Sequence, residues 1–251
     1  MNASSIASLS RVATRVDRLA HYLRRPALWK LRRRGVGLDC YLKLMVPYLQ
    51  VAGFRTILDI GANTGQFAMA AQAAFPNAQL FSFEPIPECF LQLQHNLAGS
   101  ASFKALNCGI GNEDGELEFA RCGFSASSSF LRMSATHERE FPVSAKSTKV
   151  RVPIRRLDGL DDELKFAGPL LVKIDVQGFE REVLRGGGKV LQRAKTVIVE
   201  SSLETLYEGQ ALFDEIQAIM SALGFHYAGS FDQILSPIDG RVLQVDSIYQ
   251  R

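Results

Sequence analysis

Three acids and a glycine loop are the residues of this 251-residue chain whose types and spacing suit chemistry. Asp59 ends the apolar run Thr56-Ile57-Leu58, and Gly61, Asn63 and Gly65 follow it in T-I-L-D-I-G-A-N-T-G-Q-F. Glu84 comes 19 residues after Gly65, directly after Q-L-F-S-F and before Pro85. Asp175 ends the run L-L-V-K-I. Glycines let backbone approach a ligand closely, and a helix that starts at Gln66 offers free N–H groups beside them. A carboxylate such as Glu84 accepts both hydrogens of a vicinal diol at once, which is what a ribose presents. The loop reads G-x-N-x-G rather than G-x-G-x-x-G. That departure argues against a pyrophosphate and for a ligand with a ribose and a cationic or zwitterionic tail.

The elements that must position these residues alternate between strand and helix from Thr56 onward, so we expect an α/β domain with a largely parallel sheet. Expected strands cover residues 56–60, 79–83, 102–108, 116–120, 149–154, 170–174 and 196–199. A helix between the first two stops at Pro76, and the next starts at Pro85 and Pro87. Another opens at Gly178 and closes at Gly186, Gly187 and Gly188. A long helix carrying Phe213, Ile216, Met220 and Leu223 precedes two final strands, 225–230 and 242–249. No helix separates those two, so they are expected to run antiparallel. In an open parallel sheet a ligand lies over the carboxyl ends of the strands, where Asp59, Glu84 and Asp175 all fall.

Further residues could take part. Lys173 and Asp175 share a face of their strand, and a lysine there needs a buried partner; an ion pair with Asp59 or Asp175 is expected. Asp175 is the candidate to position or deprotonate an acceptor hydroxyl, because an alcohol is a poor nucleophile until a base begins to remove its proton. His137 is a second candidate base. Residues 121–148 are irregular and polar, with Ser127, Ser128 and Ser129 close together, and read as a substrate loop. Asp175 and Glu200 end neighbouring strands and could hold a divalent metal through oxygen ligands; two acids are an incomplete set, and no metal is expected. Each acid also has a bland alternative, a loop cap or a surface carboxylate.

S-adenosyl-L-methionine carries a ribose and a zwitterionic, sulfonium-bearing tail. At residues 57–67 (I-L-D-I-G-A-N-T-G-Q-F), 83–85 (F-E-P) and 172–184 (V-K-I-D-V-Q-G-F-E-R-E-V-L), with Gly186 and Glu200, the chain resembles the FkbM family of S-adenosylmethionine-dependent O-methyltransferases. The resemblance covers about residues 55–230. It implies the class I methyltransferase fold, a Rossmann-like seven-stranded sheet with its last strand antiparallel, and methyl transfer to a hydroxyl of a sugar, glycan or secondary metabolite. It also implies roles. Gly61, Asn63 and Gly65 would line the methionine part, with Asp59 orienting that loop or meeting the cofactor's amino group. Glu84 and Pro85 would hold the ribose, and Asn107 and Gly109 would flank adenine. Asp175 would face the methyl and the acceptor. The family often has an acid where this chain has Gln177. Competing readings are a NAD-dependent Rossmann oxidoreductase and a non-catalytic cofactor-binding protein.

Composition sets the frame. Hydrophobic residues at 47% and charged residues at 22% are ordinary for a globular chain with a full core. The length suits one methyltransferase domain, residues 53–251, behind a basic helical extension, residues 1–52. In that extension Ile6, Leu9, Val12, Val16, Leu19 and Leu23 recur at helical steps with arginines between them. It is expected to pack on the domain or on a second subunit of a homo-oligomer. A basic helix of this kind also suits an anionic membrane surface or an acidic partner. No basic–aromatic repeat continues into the domain, so no nucleic-acid partner is expected. The first residues lack the basic-then-apolar order of a signal peptide, and a cytoplasmic location is expected. Cys40, Cys89, Cys108 and Cys122 show no C-x-x-C spacing and read as reduced thiols.

Overall fold

The computed structural model describes residues 27–33, 35–122, 125–142 and 147–251. Residues 1–26 of the expected extension lie outside the described residues. The remainder forms three short helices, α1 (Ala27–Arg33), α2 (Leu38–Leu44) and α3 (Pro47–Gln50). They are not a separate unit: Leu44 and Leu49 are fully buried and join Ile57, Ala70 and Leu171 in one apolar cluster.

The main sheet has seven strands: β1 (Thr56–Ile60), β2 (Gln79–Phe83), β3 (Phe103–Leu106), β7 (Leu170–Ile174), β8 (Ala194–Ser202), β9 (His226–Leu235) and β10 (Val242–Gln250). Their order is β3-β2-β1-β7-β8-β10-β9. β10 runs antiparallel to both neighbours and the others are parallel. Every residue of β1 and β7 is buried, as expected of strands covered on both faces. Leu58, Ile60, Val172 and Ile174 point to one side. There they meet α7 (Leu157–Leu164), α8 (Glu180–Gly186), α9 (Gly188–Leu191) and α10 (Phe213–Ala222). Ile57 and Leu171 point to the other, against α2, α4 (Gln66–Ala74) and α5 (Pro87–Asn96).

A second sheet, β4 (Gly109–Gly111), β6 (Ser147–Arg156) and β5 (Gly115–Cys122), covers one end of the first. The strand expected over 102–108 is shorter, Phe103–Leu106, and β4 begins beyond it at Gly109. Asn107 donates from Nδ2 to the carbonyls of Glu84 at 2.8 Å and Pro85 at 3.1 Å, and the chain leaves the main sheet there. The expected substrate loop is partly ordered: a 3-10 turn (Ser125–Ser127) and α6 (Ala135–Glu140) lie within it. α6 is pinned by Glu140, whose buried carboxylate accepts from Arg241 at 2.9 Å and Ser236 at 2.7 Å. α7 is not anticipated by the sequence reading, because Gly159 interrupts the Leu157–Leu160–Leu164 pattern. Among the described residues no helix is long and apolar enough to cross a membrane.

Candidate functional site

The sheet register builds the site. Ile60 pairs with Phe83 on one side and Ile174 on the other, so Gly61, Glu84 and Asp175 emerge at one level. Ile174 pairs with Val199, and Asp246 with Glu200, which extends the row of acids across β8 and β10. Above these strand ends lies a cleft of about 240 Å³. Asp59, Glu84, Asp175 and Gln177 line its polar side, and Pro85, Ile110, Phe119 and Phe130 its apolar side.

The glycine loop shapes its floor. Gly61 takes a φ of +84°, and a Cβ there would stand 1.8 Å from the Asp175 carbonyl oxygen, so only glycine lets β1 leave the sheet at this point. Asn63 also has a positive φ, 48°, a conformation asparagine tolerates better than most residues. Its N–H donates to Glu84 Oε2 at 2.7 Å, and the Ile86 N–H donates to Oε1 at 2.8 Å. The Glu84 carboxylate is thereby fixed, with lone pairs left for further donors. Burial pushes its pKa up to about 7, against those two N–H bonds, which lower it. Asp59 is also buried and raised to about 7 by burial; Lys173 opposes that shift.

Lys173 is held as expected, in part. Its Nζ contacts Asp175 Oδ2 at 3.1 Å and Asp246 Oδ1 at 3.2 Å. Burial alone would lower its pKa; Asp175, Asp246 and Glu200 more than offset that and keep it a cation. Asp246 is the partner the sequence reading misses, because strand β10 comes beside β8 only in the fold. The carboxylate oxygens of Asp175, Glu200 and Asp246 lie within 4.8 Å of one another. Nitrogen donors already stand among them: Lys173, and Gln177 Nε2 at 2.8 Å from Asp175 Oδ1 and 2.9 Å from Glu200 Oε2. Burial, then Asp175 and Glu180, raises the Glu200 pKa.

Several expected site residues fall elsewhere. His137 does not line the cleft; it is buried, with its ring 4.9 Å from that of Tyr207 and 5.3 Å from that of Phe141, and burial lowers its pKa. The histidine expected as a second base thus sits on α6 with its ring against Tyr207 and Phe141. Asn107 braces the Glu84 segment from outside the cleft lining, and Gly65 caps α4, where a Cβ would meet Leu93 at 2.7 Å. Ser128 faces the cleft, whereas Ser129 donates to the Gln177 carbonyl at 2.6 Å. Phe130 and Tyr207, which shape the site, carried no sequence signal, since aromatics in irregular segments have no periodicity to read.

Comparison with known proteins agrees with this geometry. A family model described as the methyltransferase FkbM domain matches residues 59–227. The 2-O-methyltransferase NoeI of Sinorhizobium fredii is 30% identical over 160 residues, covering 61% of this chain and 66% of the relative. The hexuronic acid methyltransferase AglP of Haloferax volcanii is 31% identical over 147 residues, covering 57% of this chain and 54% of the relative. The chain thus spans about two thirds or less of the length of these two relatives. The solved FkbM methyltransferase of Methylobacillus flagellatus superposes with a TM-score of 0.51 at 13% identity, covering 92% of this chain and 60% of that one. The matched segment runs from the glycine loop into the last strands of the sheet, and the chain belongs to the FkbM methyltransferase domain family, with the class I methyltransferase fold.

Proposed function

We propose that this chain transfers a methyl group from S-adenosyl-L-methionine to a hydroxyl of a sugar, glycan or secondary metabolite. The observation that carries the proposal is the single cleft in which Glu84 and Asp175 flank the Gly61 loop. The lining fits the cofactor's chemistry. Glu84 has acceptor capacity for a vicinal diol, Asp59 and Asp175 supply negative charge for an ammonium and a sulfonium, and Pro85, Ile110 and Phe130 offer a flat apolar wall for a purine. The relatives named for 2-O-methyl and hexuronic acid methyl transfer support a polyol or sugar acid as acceptor.

When bound, the cofactor supplies an electrophilic methyl group. The residues of the chain do the rest. Glu84 orients the ribose, and the Asn63 backbone holds Glu84. Asp175, about a third exposed, accepts the hydrogen of the acceptor hydroxyl. As the oxygen–carbon bond forms and the sulfur–carbon bond breaks, the proton passes to that carboxylate. Lys173 holds Asp175 in place for the alignment of acceptor oxygen and methyl donor, the main source of rate in such a transfer. Lys173 offsets part of the negative charge of the acid row, and Gln177 donates to two of its members.

Calorimetry with S-adenosylhomocysteine and NAD, followed by transfer of labelled methyl to hexuronic acids, hexoses and small polyols, tests the proposal. Binding of S-adenosylhomocysteine and labelling of a hydroxylated acceptor are expected. Binding of NAD in its place would overturn it.

A further inference from the structure

Gln177 stands at a junction the proposed chemistry does not by itself demand. Its φ is 54°, a conformation that costs a non-glycine residue energy and persists where the surroundings hold it. Its Nε2 donates to Asp175 Oδ1 at 2.8 Å and to Glu200 Oε2 at 2.9 Å. Its Oε1 accepts from the Tyr207 hydroxyl at 3.0 Å, and its backbone carbonyl accepts from Ser129 Oγ at 2.6 Å. Both amide hydrogens are therefore committed. The two carboxylates, which accept and do not donate, decide which way the amide faces; the hydroxyl of the fully buried Tyr207 then lies between Oε1 and the Ser127 carbonyl, at 3.2 Å from the latter.

We infer that Gln177 is a positioning residue whose side-chain amide holds the Asp175 carboxylate aimed into the cleft and keeps it from turning to share a proton with Glu200. The inference rests on the methyl-transfer reading. Two carboxylates this close, with no donor between them, relieve their repulsion by sharing a proton, and a carboxylate engaged in that way is a poor acceptor for a hydroxyl. Lys173 fixes the other oxygen of Asp175 at 3.1 Å, so two donors set the plane of the carboxylate. Tyr207 acts one step further back, through the amide.

The test compares wild type, Gln177→Met, Gln177→Leu, Asp175→Asn and the double variant Gln177→Met/Asp175→Asn. Methionine keeps the length and removes the amide. Gln177→Met is expected to lower kcat by about 100-fold, the scale of a misplaced reacting group. Its acceptor KM and S-adenosylhomocysteine Kd should stay within about threefold of wild type, because the lost interaction serves the transition state. In the Asp175→Asn background the same substitution should cost less than about threefold, since the carboxylate it aims is gone. Gln177→Leu, of similar size and without the amide, gives the same kcat loss if the methionine variant does not fold. A second readout needs no turnover: the Gln177 side-chain amide resonances should shift in both Asp175→Asn and Glu200→Gln. A wild-type kcat in Gln177→Met, an undiminished effect in the Asp175→Asn background, or amide resonances indifferent to both acids would overturn the inference. A wild-type protein that transfers no methyl, with the amide still coupled to both acids, would instead defeat the methyl-transfer reading and leave the amide bridge standing.

Discussion

Replacing Glu84 by glutamine tests the cofactor end of the cleft. Glu84 accepts the Asn63 N–H on one oxygen at 2.7 Å and the Ile86 N–H on the other at 2.8 Å. Glutamine supplies one oxygen and turns an NH2 toward the second N–H, leaving a buried backbone donor without an acceptor. That costs folding stability about 1–3 kcal/mol. Binding loses a separate quantity. One charge-assisted bond to a ribose hydroxyl disappears, worth about 1.5–3 kcal/mol. S-adenosylhomocysteine should therefore bind about 10- to 150-fold more weakly by calorimetry.

The same side chain predicts a pH dependence. Burial raises Glu84 from an ordinary 4.5 to about 7, so the protonated form is favoured in the free protein. Its contribution to stability is fully present below about pH 4.5 and is lost as pH rises through about 7. A ribose needs the ionised acceptor, so S-adenosylhomocysteine affinity should strengthen as pH rises through about 7, with a proton released on binding. Asp59 is also raised to about 7, and the Glu84→Gln variant separates the two: the part of the pH dependence due to Glu84 should vanish in it. An affinity in Glu84→Gln within about threefold of wild type would refute the assignment of the ribose to this carboxylate.

Three further outcomes are expected. Lys173→Met leaves the partly exposed Asp175 and Asp246 facing each other without a cation and should destabilise the protein by about 1–3 kcal/mol in urea unfolding, an effect relieved at low pH; an unchanged midpoint would show that the ion pairs do not contribute to stability. Gly61→Ala would set a Cβ 1.8 Å from the Asp175 carbonyl oxygen and should cost about 4 kcal/mol or more, so a near-wild-type melting temperature would contradict the described loop. His137→Phe should keep the stacking with Tyr207 and leave kcat within about threefold, whereas a loss of about 100-fold or more would restore the histidine as a base.

The sequence by itself determined the strands that carry the site. β1, β2 and β7 are mostly apolar runs followed by an acid or a glycine, and their bounds follow from local composition. It pointed to a ligand class too, because Asn63 in the loop and Glu84 after β2 are local signals at a fixed separation. Gly61 was legible as a loop glycine, although not the reason for it, since the Asp175 carbonyl it passes lies 114 residues along the chain. Only the tertiary structure decided the rest. Asp246 enters the acid row because β10 inserts antiparallel beside β8, a pairing set by packing across the whole sheet. Gln177 meets Glu200 and Tyr207, and His137 lies against Tyr207, through contacts that no local pattern records. Local pattern fixes which residues end strands; it holds no record of which loops meet above those ends, because those contacts are made by irregular segments whose course is set by burial and hydrogen bonding over long separations.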